Sequence, residues 1–189
     1  MKLKTHPRDK KSQKDKIIEI LREGGIGVMP TDTIYGIVGR ALDEKTVERI
    51  YSTRKRTPSK PMIILISSVN DLKLFNVKTE LDQLNKFWPG KVSIILPCPD
   101  EQFYYLHRGS NSLAFRLPND VALRQFISQT GPLVAPSANM EGMPPSTTIE
   151  EAEKYFGDNV DFYLDGGKIE GSPSKLLKLE NGKIIELRK

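Results

Sequence analysis

The sequence predicts an α/β domain with an α+β flavour, a single twisted, mixed sheet with helices packed on it. Three features carry that expectation. Continuous apolar runs of strand length recur along the chain, as at 26–29, 62–66 and 92–96. Between them lie segments with helical apolar spacing that open on capping residues, Asp43 and Thr148 among them. The last two strands are joined through Asn181-Gly182, a hairpin signal. Helical connections allow parallel neighbours and hairpins require antiparallel ones, so the sheet should be mixed.

In chain order, Ser12 is placed to cap a helix running to about residue 23, with Ile17, Ile18, Ile20 and Leu21 on its inner face and Gly24-Gly25 as its stop. A buried strand over 26–29 follows. Asp43 caps a second helix in which Val47, Ile50 and Tyr51 recur at helical spacing. Its C-terminal end carries Arg54-Lys55-Arg56, where the helix dipole favours cations. Residues 62–66 read as a strand, 70–74 and 81–87 as helical, and Trp88-Pro89-Gly90 as a turn with an aromatic plug before the strand at 92–96. Strands are expected at 103–106 and 113–117. Asn119 caps a helix to about residue 128, a short strand covers 132–135, and Thr148 caps a helix through residue 156. A strand at 160–164 leads to Asp165-Gly166-Gly167, and 175–179 pairs with 184–187.

A chain of 189 residues is long enough for one generous core. The expected organisation is a basic flexible tail over 1–13 and one domain over 14–189. No apolar stretch approaches the roughly 18–20 residues of a membrane span. The basic N-terminus has no apolar segment behind it, so it is not a secretory signal, and the expected location is cytoplasmic. The lone Cys98 agrees with a reducing compartment and reads as packing. The net charge of +5 sits in the tail: residues 1–16 hold seven Lys or Arg against two Asp, leaving 22 basic and 22 acidic residues in the remainder. A neutral folded part argues against strong electrostatic binding of nucleic acid.

The chemistry-bearing residues are of one kind. The sequence has no GxxxxGK[ST] phosphate loop, no GxGxxG after a first strand, no HExxH and no Cys/His zinc spacing. With His6 and His107 alone, a Ser-His-Asp or Cys-His arrangement is disfavoured. What stands out is PTDTIYG (30–36) at the end of an apolar strand, echoed by PLVAPSAN (132–139). Loops at strand ends leave backbone N–H groups free, and Arg forks with hydroxyls suit carboxylate or phosphate. Each element has a plainer reading. Residues 31–33 fit a self-closed turn, 54–60 an exposed helix end, and Arg116 either a carboxylate clamp or a strand residue on a solvated face.

In their order, PTDTIYG, the basic cluster about twenty residues later, FWPG (87–90), SLAFRLP (112–118), PLVAPSAN and a final Gly-x-x-Ser with a hairpin closing on Arg188 resemble the YrdC/Sua5 family of threonylcarbamoyl-AMP synthases over roughly 14–189. The resemblance implies a YrdC-like fold with a basic concave face. The implied enzyme is a nucleotidyltransferase that joins L-threonine, bicarbonate and ATP, with Mg²⁺ accompanying the ATP, into threonylcarbamoyl-adenylate and pyrophosphate. The product serves the modification of adenosine 37 in tRNA, through a downstream threonylcarbamoyl transferase complex. By the same resemblance Thr31, Arg116, Ser137 and Ser174 hold threonine, and Arg54, Arg56, Ser112, Asn139, Thr147 and Arg188 contact ATP. Arg54 and Arg56 stabilise charge, no protein atom serves as nucleophile, and no metal ligand comes from the protein. Arg54 stands where the family usually has Lys, and Pro58 replaces a small polar residue. Two alternatives stay open: an RNA- or ribosome-binding module taking double-stranded RNA or tRNA on the basic face, and a paralogue acting on another carbamoyl compound.

Overall fold

The computed structural model describes residues 3–4, 10–78, 84–180 and 183–189. Among the described residues, ten strands form one sheet: β1 (Leu3–Lys4), β2 (Gly27–Pro30), β3 (Tyr35–Arg40), β4 (Ile63–Leu65), β5 (Val92–Pro97), β6 (Ser112–Arg116), β7 (Leu133–Val134), β8 (Phe162–Tyr163), β9 (Lys175–Glu180) and β10 (Lys183–Arg188). Their order is β1-β8-β2-β3-β7-β4-β6-β5-β9-β10. Parallel pairs (β1 with β8, β2 with β8, β4 with β6, β5 with β9) are combined with antiparallel ones, so the sheet is mixed as expected. Among the described residues, five α-helices pack on it: α1 (Lys10–Arg22), α2 (Glu44–Arg54), α3 (Tyr104–His107), α4 (Val121–Thr130) and α5 (Ile149–Phe156).

Strand alternation sorts the core into two layers. Val28, Ile37 and Ile64 join the cluster that contains Val47 and Ile50 of α2 and Ala152 of α5. Their neighbours Met29, Val38 and Leu65 join a second cluster with Ile17 and Leu21 of α1 and Phe126 and Ile127 of α4. On that second face, α1 and α4 cover β2, β3, β4 and β7. The same face of β6, β5 and β9 lies beyond their cover, and there the sheet is hollowed.

Several boundaries differ from expectation. The first helix begins at Lys10, so Ser12 lies within it and does not cap it. The segment 1–13, expected as a tail, supplies β1, paired in parallel with β8, and the opening of α1. Strand β3, with glycines at 36 and 39, has no counterpart among the expected elements. These glycines permit close approach: a Cβ on Gly39 would lie 2.4 Å from Thr46 Cγ2. The expected strand at 103–106 is a 3₁₀ turn (Glu101–Phe103) running into α3, with Asp100 accepting from the Gln102 amide at 3.1 Å. Asp120, not Asn119, caps α4, accepting from Leu123 N at 3.0 Å. Asp43 and Thr148 cap as expected. The segment 69–75 is a 3₁₀ helix. Residues 81–83 of the helix expected over 81–87, and the Asn181-Gly182 hairpin tip, lie outside the described residues, and 85–87 form a turn. The strands flanking that tip pair antiparallel with Lys183 opposite Glu180. Trp88 is the plug expected of it, buried and donating its indole N–H to Val92 O at 2.7 Å.

Candidate functional site

One face of β6 explains the site. Leu113 and Phe115 point into the core, so Ser112, Ala114 and Arg116 face the other way. All three border open space. Arg116 lines a hollow of about 430 Å³ together with Thr31, Gly36, Ser137, Ser174 and Arg188. Ser112 and Ala114 line a neighbouring hollow of about 930 Å³ with Arg56, Ile95 and Leu176. Ile63, Pro136, Ser137 and Arg188 border both, so the two are halves of one groove.

The smaller half is built by three loops. After β2 the chain turns on itself: Thr31 N donates to Ile34 O at 3.1 Å, and the Thr31 hydroxyl donates to the same carbonyl at 2.7 Å. The self-closed turn and the polar site are therefore one object. The PSAN segment after β7 is stitched to β3, with Ile37 N donating to Pro136 O at 3.0 Å and Ala138 N to Tyr35 O at 2.9 Å. The third wall is the strap over 165–174, tethered by Tyr35, whose hydroxyl donates to Gly167 O at 2.7 Å and accepts from Gly166 N at 2.8 Å. At Gly171 the strap passes so close that a Cβ would lie 1.9 Å from Thr33 O. It delivers Ser174, whose hydroxyl sits 2.8 Å from that of Ser93 on β5.

The electrostatic centre is Arg116. Its side chain is 4% exposed and its NH2 lies 2.9 Å from Asp32 Oδ1, on a side chain that is 5% exposed. The same nitrogen reaches Thr31 Oγ1 at 3.4 Å. Burial pushes the Asp32 carboxyl up, and the Arg116 guanidinium pulls it back. Arg188 anchors from the edge strand, donating to Ser174 O from Nε at 3.0 Å and NH2 at 2.8 Å.

The four residues that the resemblance assigned to threonine, Thr31, Arg116, Ser137 and Ser174, thus meet in one hollow. Of the six assigned to ATP, Arg56, Ser112 and Arg188 line the larger half. Arg54 and Asn139 lie beneath it. Arg54 is 2% exposed and donates to Asn139 O at 3.0 Å, Asn139 Oδ1 at 2.9 Å and Ser137 Oγ at 3.3 Å. Burial, with help from Arg56, lowers its pKa to about 10. Asn139 in turn donates to Met140 O and Met143 O. Thr147 lines neither half; its amide and hydroxyl donate to Glu151 Oε2 at the start of α5. Arg56 is half-buried, folded over its own loop by donation to Lys60 O and Pro61 O. Glu141 closes that loop by accepting from Thr57 N and the Lys60 ammonium.

Two residues escaped sequence reasoning. Asp32 belongs to the polar PTDTIYG loop, but its pairing with Arg116 escapes sequence reasoning because the two are far apart along the chain. Ser93 was read as part of an apolar strand; a hydroxyl in such a run is the signal that would have found it. No carboxylate lines either half, and no cluster of His, Cys, Asp or Glu fit for a metal ion exists among the described residues. Among them, too, no helix is long and apolar enough to cross a membrane.

A family model described as telomere recombination, covering Sua5, YciO and YrdC proteins, matches residues 19–189. A Pyrococcus abyssi protein named threonylcarbamoyl-AMP synthase is 32% identical over 173 residues, 89% of this chain and 51% of its own length. A Methanocaldococcus jannaschii relative is 32% identical over 187 residues, 93% of this chain and 86% of its own. The structure of P. abyssi Sua5 complexed with L-threonine superposes with a TM-score of 0.83 at 30% identity, over 94% of this chain and 54% of that one. Escherichia coli YciO, at 20% identity and a TM-score of 0.82, shares the fold. The chain therefore spans about half the length of the P. abyssi protein. With the family model matched from residue 19 to the last residue, the chain belongs to the Sua5/YciO/YrdC family.

Proposed function

We propose that this chain makes threonylcarbamoyl-adenylate and pyrophosphate from L-threonine, bicarbonate and ATP. The observation that carries the reading is the confluence of two differently built halves of one groove. The smaller offers Arg116 with the hydroxyls of Thr31, Ser137 and Ser174, which suits an amino acid carboxylate and its polar side chain. The larger offers Arg56 and Ser112 over apolar Ile95 and Leu176, which suits a triphosphate and a nucleoside. Arg188 and Ser137 stand where the two ligands would meet.

Bicarbonate takes up a proton and loses water to give CO₂, and threonine whose amine has taken up that CO₂, returning the proton, carries a carbamate oxygen. That oxygen attacks the α-phosphorus of ATP, the new P–O bond forms, and the bond to the β-phosphate breaks to release pyrophosphate. No enzyme nucleophile is needed; the chain orients the two substrates and offsets the charge that develops. The groove residues are cations, hydroxyls and apolar groups, and do not fit a protein-held metal. Magnesium would enter as part of the ATP complex. Arg54 and Asn139 act beneath the site by holding the PSAN loop. The product would pass to a downstream threonylcarbamoyl transferase, for N6-threonylcarbamoyladenosine at position 37 of tRNA. The buried, unpaired Cys98 suits the reducing cytoplasm proposed for it.

Pyrophosphate release from ATP by the purified chain tests this. Release should require threonine and bicarbonate together; release indifferent to either would refute the reading.

A further inference from the structure

Asp32 lies behind Arg116: Arg116 borders the smaller hollow and Asp32 does not. The pair is almost completely enclosed, yet poorly satisfied. Among the described residues, Arg116 NH2 lies 2.9 Å from Asp32 Oδ1, yet the carboxylate oxygens of Asp32 and Arg116 Nε lack a well-aligned hydrogen bond. Ion pairs removed from water stabilise a fold only when geometry is excellent and the remaining atoms are hydrogen-bonded. This one falls short, so stability does not account for it.

Two consequences of the placement do. First, Asp32 Oδ1 and Thr31 Oγ1 hold one corner of the guanidinium, at 2.9 Å and 3.4 Å, which fixes how the rest of it faces the hollow. Second, Arg116 and Arg188 border the same space, and without Asp32 the hollow would carry two uncompensated guanidiniums. Such a hollow attracts polyanions. The larger half, where a triphosphate is proposed to sit, opens directly into it.

We propose that Asp32 is a positioning and specificity residue that acts through Arg116: it orients the guanidinium for one carboxylate and keeps phosphate groups out of the amino acid half. The inference rests on the assignment of threonine to that half.

The test compares the full chain with its Asp32→Asn and Asp32→Glu variants by calorimetric titration of L-threonine, with and without inorganic tripolyphosphate. In the parent chain, tripolyphosphate should leave threonine binding unchanged. In Asp32→Asn, threonine affinity should fall about tenfold, as expected for one misplaced charge-assisted hydrogen bond, and tripolyphosphate should become a competitor. Asp32→Glu keeps the charge but shifts it, so threonine should weaken without competition appearing; it also stands in if Asp32→Asn does not fold. Unchanged threonine affinity in either variant, loss of affinity with no gain of competition in a folded Asp32→Asn, or competition appearing in Asp32→Glu would overturn the inference while leaving the proposed function intact. A parent chain that does not bind threonine would overturn both.

Discussion

Replacing Arg54 by methionine separates two roles for a residue that the family resemblance puts against ATP and that is buried against Asn139 and Ser137. Methionine keeps much of the volume and removes the charge. Two short hydrogen bonds to Asn139 disappear, at 2.9 Å and 3.0 Å, with a longer one to Ser137 at 3.3 Å. Hydrogen bonds to charged groups contribute about 1.5–3 kcal/mol each, and two give about 3–6 kcal/mol. Part of that is offset because the variant no longer buries a cation. The expected net loss is about 3 kcal/mol, which for a domain of this size lowers the melting temperature by roughly 6–12 °C. The loosened PSAN loop carries Ser137, so the Michaelis constants for threonine and ATP should both rise. Calorimetric melting and pyrophosphate-release kinetics give the two readouts. A melting temperature within a degree of the parent, with ATP affinity alone collapsed, would show that Arg54 contacts phosphate and would refute the clamp.

Two further outcomes follow from local geometry. Gly171→Ala places a methyl into the Thr33 carbonyl, so the strap must lift and carry Ser174 with it; threonine affinity should fall at least about tenfold with little change in melting temperature, because the strap is largely exposed, and unaltered affinity would refute a fixed strap. The Lys60 ammonium and the Thr57 amide hold the Glu141 carboxyl at about 2, below its ordinary 4.5. A lowered folded pKa means that this clasp contributes in full above pH 4.5 and is lost as pH falls through about 2. Carbon NMR of the Glu141 carboxyl should therefore show a midpoint near 2, and one near 4.5 would mean that the clasp does not form.

How much of this was readable before folding depends on the range of the interactions. Arg116 was legible because alternation in a five-residue strand fixes a face, and the strand put it opposite Phe115. Thr31 and Ser137 were legible because proline and short apolar runs mark strand ends. Asp32 was visible as a residue and invisible as a partner, since nothing local says which guanidinium it will meet. Strand β3 had no expected counterpart for a related reason: its glycines at 36 and 39 fit a strand through the close approach of Pro136 and Thr46, which lie outside that run. The strand expected at 103–106 failed because Asp100 caps a turn whose buried faces are Phe103 and Leu106, three residues apart. Arg54 was legible as a cation beside the site through the family resemblance, while its hydrogen bonds to Asn139 and Ser137, more than eighty residues away, were not.

The smaller hollow draws its walls from residues 31, 63, 116, 137, 174 and 188, which is nearly the full length of the chain. A molecule seated there touches early, middle and late segments at once, and acts as a reversible staple on the whole fold. No partly unfolded form retains the seat, so occupancy should raise the global unfolding free energy by about 2.7 kcal/mol at a ligand concentration one hundred times its dissociation constant. Amide exchange should then slow in strands that the ligand never touches, and any nick in the backbone should weaken capture wherever it falls.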